Sequence, residues 1–338
     1  MTRQLASIQR ILTVGPVPDS DHLDVVRVLG WDVVTKRNEF KTNDLIVFIE
    51  IDAILPDRPD KVFEFMRKHR FRLRTVRLRG QISQGLVWNT SILPDGVFIE
   101  EGADVTDVLG VTKFEAEESP LTGRQALGGF PSCLRKTDET RIQSAQAIIG
   151  ELAEVPLYVS VKMDGQSLTF GKYMSHSTQE LKQVVCTRNM SLADLPDNRH
   201  WAMARKLDIF ANLPVGFAVQ GEFCGPGVNG NRLGLTKDVF YAFQVWDIDK
   251  RQYLDYEDFV NFCCDRNIPI VPIVSDIFVI HKHTSMEQLL SIAEGKYDNG
   301  HEREGVVIRP RIERDSHVLR GRASVKVISN KYLLAIGE

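Results

Sequence analysis

The chain has 338 residues, 43% of them apolar and 26% charged, a composition that can bury a substantial core in two ordinary domains and excludes an intrinsically disordered protein. With 42 Lys and Arg against 45 Asp and Glu, the formal charge is −3, so the body as a whole is not a basic nucleic-acid coat and any polyanion must be held by local patches. No apolar run approaches the roughly 18 residues needed to cross a bilayer, and five cysteines without a CxxC pair, with no apolar leader after Met1, point to a reduced intracellular compartment rather than a disulfide frame or a zinc site.

Strand signals dominate the first hundred residues. Residues 23–29 and 31–35 are rich in β-branched and apolar side chains on either side of Gly30; 45–51 follows a polar connection over 36–44, and 71–78 and 85–88 supply further short strands. Short strands punctuated by turn residues predict a small β-barrel of the OB type. The pattern lapses between Leu109 and Pro131, where an acidic run over 115–118 and the pair Gly128-Gly129 break any period. The expected division is therefore 1–118 for the barrel and 119–338 for a second domain. A helix is expected over 138–152, capped by Asp138, with Ile142, Ala145, Ile148, Ile149 and Leu152 at helical spacing. Beyond it, strands at 158–161, 168–170, 184–187, 217–223, 240–248, 305–309 and 323–328 alternate with helices at 201–212, 256–267 and 285–294. That order fits an α+β domain on mainly antiparallel sheet better than a regular βαβ series.

The sharpest charge feature lies at 67–79. Arg70, Arg72 and Arg74 alternate with Phe71 and Leu73, while Arg77 and Arg79 oppose Val76 and Leu78 with the phase shifted by one after Thr75. A strand with a bulge or bend near Arg74 would place all five arginines on one cationic face, suited to tracking the phosphates of a nucleic acid. His281 and His283 flank Lys282 without a third ligand nearby and read as solvent-facing rather than metal-binding.

Lys162 closes the apolar run 155–161 and begins the tetrapeptide Lys162-Met163-Asp164-Gly165. A lysine is protonated near neutrality, with a reference pKa of ~10.4, and attacks nothing unless burial or a neighbouring cation depresses that value. The apolar strand predicts such burial, and Gly165 allows close backbone approach to a ligand. The tetrapeptide alone is a weak signal. It gains weight from the segments that follow it: Val219-Gln220-Gly221-Glu222-Phe223-Cys224-Gly225-Pro226-Gly227, Phe240-Tyr241-Ala242-Phe243-Gln244-Val245, Glu304-Gly305-Val306-Val307-Ile308-Arg309 and Val325-Lys326-Val327-Ile328.

In this order the segments resemble the five motifs of the covalent nucleotidyltransferase superfamily of DNA ligases, RNA ligases and RNA-capping enzymes, over residues 131–334. With the barrel-like segment first, the chain is most similar to the fifth family of ATP-dependent RNA ligases, which seal nicked duplexes; DNA ligases and capping guanylyltransferases usually place their OB domain last. Those two are the nearer alternatives, and a non-catalytic RNA-binding OB protein is a more distant one, opposed by the intact set of Lys162, Glu222, Glu304 and Lys326.

The resemblance implies ATP and Mg²⁺, with Mn²⁺ as a substitute, as cofactors, and a lysyl-AMP intermediate on Lys162. It implies an ATP site of Lys162, Asp164, Gly165, Arg188, Glu222, Phe243, Glu304, Arg309 and Lys326. In it Glu222 accepts hydrogen bonds from the ribose and joins Glu304 in holding the metal, Phe243 stacks on adenine, and Arg309 and Lys326 neutralise the phosphates, Lys326 as a second catalytic residue. Arg188, in Thr187-Arg188-Asn189, faces the ribose or the RNA end, and 136–141 borders the nucleotide. Trp246 rivals Phe243 as the stacking ring, although period-two alternation puts it on the opposite strand face. Nucleic-acid ends are the expected partner, the basic segment a second contact, and a monomer the expected state. Two departures stand out: Ile328 replaces a second lysine, with Lys331 as a candidate substitute, and Gln244 stands where relatives often carry aspartate.

Overall fold

The structure, a computed structural model, describes residues 4–114, 126–175 and 177–337. Its compact units are Met1–Glu117 with Ile142–Gln146 and Asn330–Glu338, and Glu118–Arg141 with Ala147–Ser329. The chain therefore returns twice to the first unit, which a single cut after 118 does not provide for.

In the first unit, alternating side chains build Leu23–Val28 and Trp31–Lys36 into an antiparallel pair, part of a five-stranded sheet in the order Trp31–Lys36, Leu23–Val28, Ala6–Pro16, Leu45–Ile49, Leu86–Asn89. The strand Ala6–Pro16 has no clean alternation, because Ala6, Ser7, Ile8 and Gln9 are all buried. It serves two ladders, pairing with Leu45–Ile49 through residues 6–10 and with Leu23–Val28 through 11–16, with a register break between Ile11 and Thr13. A strand that changes partner at an irregularity is how a small barrel turns a corner. The core under it gathers Ile8, Val47, Ile49, Leu55, Phe63 and Val105.

The basic segment departs from expectation. Residues Glu64–His69 form a 3-10 helix, Arg70 and Phe71 are both left-handed at φ 53° and 59°, and the strand begins only at Thr75–Leu78, paired with Gln81–Gln84. Arg72 is buried, its guanidinium 3.4 Å from the Phe114 ring centroid, a cation–π contact that turns it inward. The single face of five arginines is thus corrected to four exposed ones, Arg70, Arg74, Arg77 and Arg79.

The second unit stands on two sheets. One runs Ala126–Gly129, Met190–Leu192, Leu181–Cys186, Gln166–Met174, Phe217–Cys224, Val239–Asp247, Gln252–Tyr253; the other runs Thr140–Arg141, Val325–Ile328, Gly305–Pro310, Leu157–Lys162, Ile273–Phe278. The turn at 163–165 carries the chain directly from one to the other. Leu168, Phe170, Val219, Phe223, Phe240 and Val245 of the first sheet pack with Trp201, Met203 and Phe259 from the helices. The helix expected at 201–212 is two, Arg199–Lys206 and Ile209–Asn212, broken where Asp208 turns left-handed. Met286–Ala293 starts on a capping box between Ser285 and Gln288. The helix expected over 138–152 is reduced to Ile148–Leu152 and a 3-10 turn at Ile142–Ala145, because Thr140–Arg141 pairs in parallel with the strand Val325–Ile328. Ladder hydrogen bonds there override a helical pattern. Among the described residues no helix is long and apolar enough to cross a membrane.

Candidate active site

The ladder between Leu157–Lys162 and Gly305–Pro310 pairs Lys162 with Gly305, so the residue before that glycine is delivered to the end of the lysine strand. Lys162 Nζ lies 2.6 Å from Glu304 Oε1. Gly305 is required by crowding, since a Cβ there would run into the Val327 carbonyl oxygen. The Tyr297 hydroxyl fastens the corner from outside, donating to the Lys162 carbonyl at 3.2 Å and accepting from the Glu304 N–H at 3.2 Å. Glu222 arrives from the other sheet. Burial, with the Glu304 and Asp164 carboxylates adding to it and Lys162 opposing, pushes its carboxyl up to about 8. Burial likewise raises Glu304 against the pull of Lys162.

The expected depression of the Lys162 pKa is not what the ligand-free site produces. Burial does press it down, but Glu304, Glu222 and Asp164 outweigh that and hold it above its ordinary value. Three acidic side chains gather around one lysine, with Arg232 and Lys326 acting on two of them, a concentration of carboxyl oxygens that suits a divalent cation. Among the described residues no group of three or more His, Cys, Asp or Glu is arranged to hold a metal by itself, so such an ion would rest on Glu304 and Glu222 together with ligand oxygens.

The 163–165 turn is pinned from the opposite sheet. A Cβ on Gly165 would lie 2.5 Å from the Phe223 carbonyl oxygen and 2.7 Å from Cys224 Sγ, so only glycine fits. Asn229 Nδ2 donates to the Gly165 carbonyl at 2.6 Å and to Asp164 Oδ1 at 3.3 Å, and Arg232 Nε stands 3.5 Å from the other Asp164 oxygen.

Along Val239–Asp247 the ladder pairs Gly221 with Ala242 but Gln220 with Gln244, leaving Phe243 as an extra residue. This bulge resets the phase. Glu222 and Ala218 lie on one face of their strand, and their partners are Tyr241 and Trp246, so Trp246 emerges on the same face as Tyr241, contrary to plain alternation. Phe243 and Tyr241 pack beside Met163 and Tyr297, next to the lysine turn. Trp246 belongs to another cluster, with Leu134 and Cys186; its ring N–H donates to the Cys133 carbonyl at 3.1 Å.

Ladder partners share a face, so Lys162, Arg309 and Lys326 all project from the same side of their sheet. Lys326 acts electrostatically on Glu304, lowering its pKa against burial. Arg309, expected at the phosphates, is engaged within the protein. It is 2% exposed and donates to Glu139 at 2.8 Å, to Ser324 Oγ at 2.9 Å and to the Phe243 carbonyl at 3.0 Å. The last is the carbonyl of the bulged residue. Tyr158 and Glu139 keep Arg309 charged despite its burial.

Arg188 pairs with Asp138, Lys136 Nζ with Asn189 Oδ1 at 2.9 Å, and Thr137 with Ser167 at 2.8 Å. The 136–141 segment is thus tied to Ser167, Arg188 and Asn189 rather than capping a helix. Gln244 has its own work, donating to Gln220 at 2.8 Å and accepting from Arg322. Lys331 lies in the helix Asn330–Ile336 of the first unit. Sequence reasoning passed over Tyr297, Asn229 and Glu139. The first two sit in irregular segments with no period or motif to mark them, and Glu139 was visible only as one polar residue in 136–141.

A family model described as RNA ligase matches residues 155–328, and one described as an OB-fold domain matches 5–90. Among solved structures, the chain is 32% identical to a Naegleria gruberi RNA ligase. A mutant of it with ATP and Mn has a TM-score of 0.88, covering 99% of this chain and 100% of that one. A mutant with AMP and Mn has a TM-score of 0.87, covering 98% and 99%, and the ligase with PPi a TM-score of 0.86, covering 99% of each. No curated protein matches the chain.

Proposed function

The chain belongs to the RNA ligase family, and from that premise we propose that it joins 3′-hydroxyl and 5′-phosphate ends, at nicks in duplexes, through a covalent AMP on Lys162 drawn from ATP. One observation carries this most directly: a strand-end lysine 2.6 Å from Glu304, with Glu222 and Asp164 acting on the same charge. The Lys162 amine attacks the α-phosphorus, a P–N bond forms and pyrophosphate leaves. A 5′-phosphate oxygen takes the AMP from the lysine, and a 3′-hydroxyl then displaces AMP to close the phosphodiester.

The attack needs a free amine, which the surrounding carboxylates oppose. Once their charge is neutralised, the same burial works to release the proton from Lys162. A divalent cation, Mg²⁺ or Mn²⁺, on Glu304 and Glu222 would supply that neutralising charge; the related ligase solved with ATP and Mn supports both partners. Phe243 would stack on the adenine, Glu222 and Arg188 would meet the ribose or the RNA end, Asp164 and Gly165 shape the turn, and Lys326 stabilises phosphate charge. Arg309 serves by holding Phe243. The barrel at 1–118 would grip nucleic acid through Arg70, Arg74, Arg77 and Arg79. The protein would work as a monomer and inside the cell, the second of these supported by five free thiols.

Incubation with α-labelled ATP and Mg²⁺ should leave label on the wild-type protein and none on Lys162→Ala. Label from GTP and not from ATP, or label retained without Lys162, would sink the proposal.

A further inference from the structure

The 3-10 helix Glu64–His69 carries a side chain that neither the arginine pattern nor the site accounts for. Phe65 is 51% exposed. Its ring stacks on Trp88, centroids 6.1 Å apart and planes within 10°, and Trp88 in turn meets the buried Phe63 edge-on at 5.9 Å. Three rings thus form a tier from the barrel core to its surface, with Phe65 outermost. Trp88 stands on the strand Leu86–Asn89, at the edge of the five-stranded sheet.

The charge around this tier is paired at its base and cationic in the residues that follow it. Arg67 is committed to Glu64 at 2.6 Å and Asp57 at 2.9 Å, but Lys68, His69 and Arg70 follow directly and are exposed, and the hairpin beyond adds Arg74, Arg77 and Arg79. A hydrophobic protein partner would gain from Phe65 but not from so many cations. A membrane surface would meet a ring whose inner face is already spent on Trp88. A strand with both π-faces and phosphates matches each part.

We propose that Phe65, backed by Trp88, is a stacking platform for an unpaired base of a nucleic-acid strand, whose phosphates are met by Lys68 and Arg70. The inference rests on the reading that the protein acts on polynucleotides and adds a base-contacting element to it. Base–aromatic stacking is worth enough to change affinity by roughly five- to a hundred-fold, with little sequence preference because every base has a π-face.

The test compares, by fluorescence anisotropy on the full chain, binding of a single-stranded RNA and of an abasic oligomer with the same number of phosphates. The wild type should prefer the RNA by about ten-fold. Phe65→Leu should abolish that preference while Phe65→Tyr keeps it, with thermal unfolding confirming that each variant is folded. A preference unchanged in Phe65→Leu, or absent from the wild type, overturns the platform; so does an equal loss on both strands, which would mean a structural or purely electrostatic role. Labelling of the wild type by ATP is scored separately. Its failure would strike the ligase reading, whereas intact labelling with no change in Phe65→Leu would strike only this inference.

Discussion

Replacing Arg309 with methionine would remove a buried cation while keeping most of the side-chain volume. Glu139, only 13% exposed, would lose its ion pair, and the carbonyl of bulged Phe243 would lose its donor. Breaking a buried pair costs about 3–5 kcal/mol; Arg322 still acts on Glu139, so the lower end applies, about 3 kcal/mol. For a unit of this size that is a fall of roughly 6–12 °C in Tm. The functional effect separates two roles. If Arg309 holds Phe243 in place, ATP and AMP should both bind more weakly by the same factor, roughly 2- to 10-fold from a loosened stack. Calorimetric titration of each nucleotide into Lys162→Met protein, with and without Arg309→Met, measures this without covalent turnover. Loss of ATP affinity with AMP unaffected would refute the positioning argument, because only a contact to the outer phosphates discriminates in that way.

Gly165→Ala should slow AMP attachment by about 100-fold, the order of loss when a reacting group is displaced by ~1 Å, since its Cβ meets the backbone oxygen of Phe223 at 2.5 Å; a wild-type rate of labelling would contradict the crowding. Tyr297→Phe keeps the ring and removes both hydrogen bonds that tie Lys162 to Glu304. At about 1 kcal/mol or less per bond, single-turnover labelling should slow by up to roughly thirty-fold with ATP affinity unchanged, and unchanged labelling would count against it. Glu222→Gln tests the electrostatics through stability. The Glu222 carboxyl is raised to about 8 in the folded protein from an ordinary 4.5, so between those values the folded state holds a proton that the unfolded state has lost, and stability falls as pH rises. The contribution is fully present below about pH 4.5 and gone above 8. The Tm of Glu222→Gln should therefore gain on that of the wild type from pH 5 to pH 8; a constant difference would mean the carboxyl is not raised.

The strands that carry the chemistry were legible because each is a short apolar run with one charged exception: Lys162 closing one, Lys326 alone in another. What escaped has a common cause. The strand Ala6–Pro16 is buried on both faces near its start, so no alternation marks it. Arg72 was expected on a cationic strand face and Arg309 at the phosphates because composition cannot show that a guanidinium will be turned inward onto Phe114 or Glu139. The bulge at Phe243 is invisible in one strand's sequence, since it exists only in register with a neighbour, and one unseen residue was enough to put Trp246 on the wrong face. The depressed lysine pKa was inferred from burial alone; the three carboxylates that reverse it come from the turn and two other segments.

The pairing of Lys162 with Gly305 makes the sheet a ruler for the chemistry. The spacing between nucleophile and carboxylate is set by ladder bonds between two strands, not by the loops that connect them, so the more than one hundred residues between Lys162 and Glu304 can vary in loop length without moving either group. One residue inserted inside Gly305–Pro310 would do the opposite: it would bring a different residue level with Lys162 and turn every side chain beyond it to the other face. Length changes at 177–180 or 248–251, outside the strands, should leave AMP transfer intact, while a single insertion within either paired strand should abolish it.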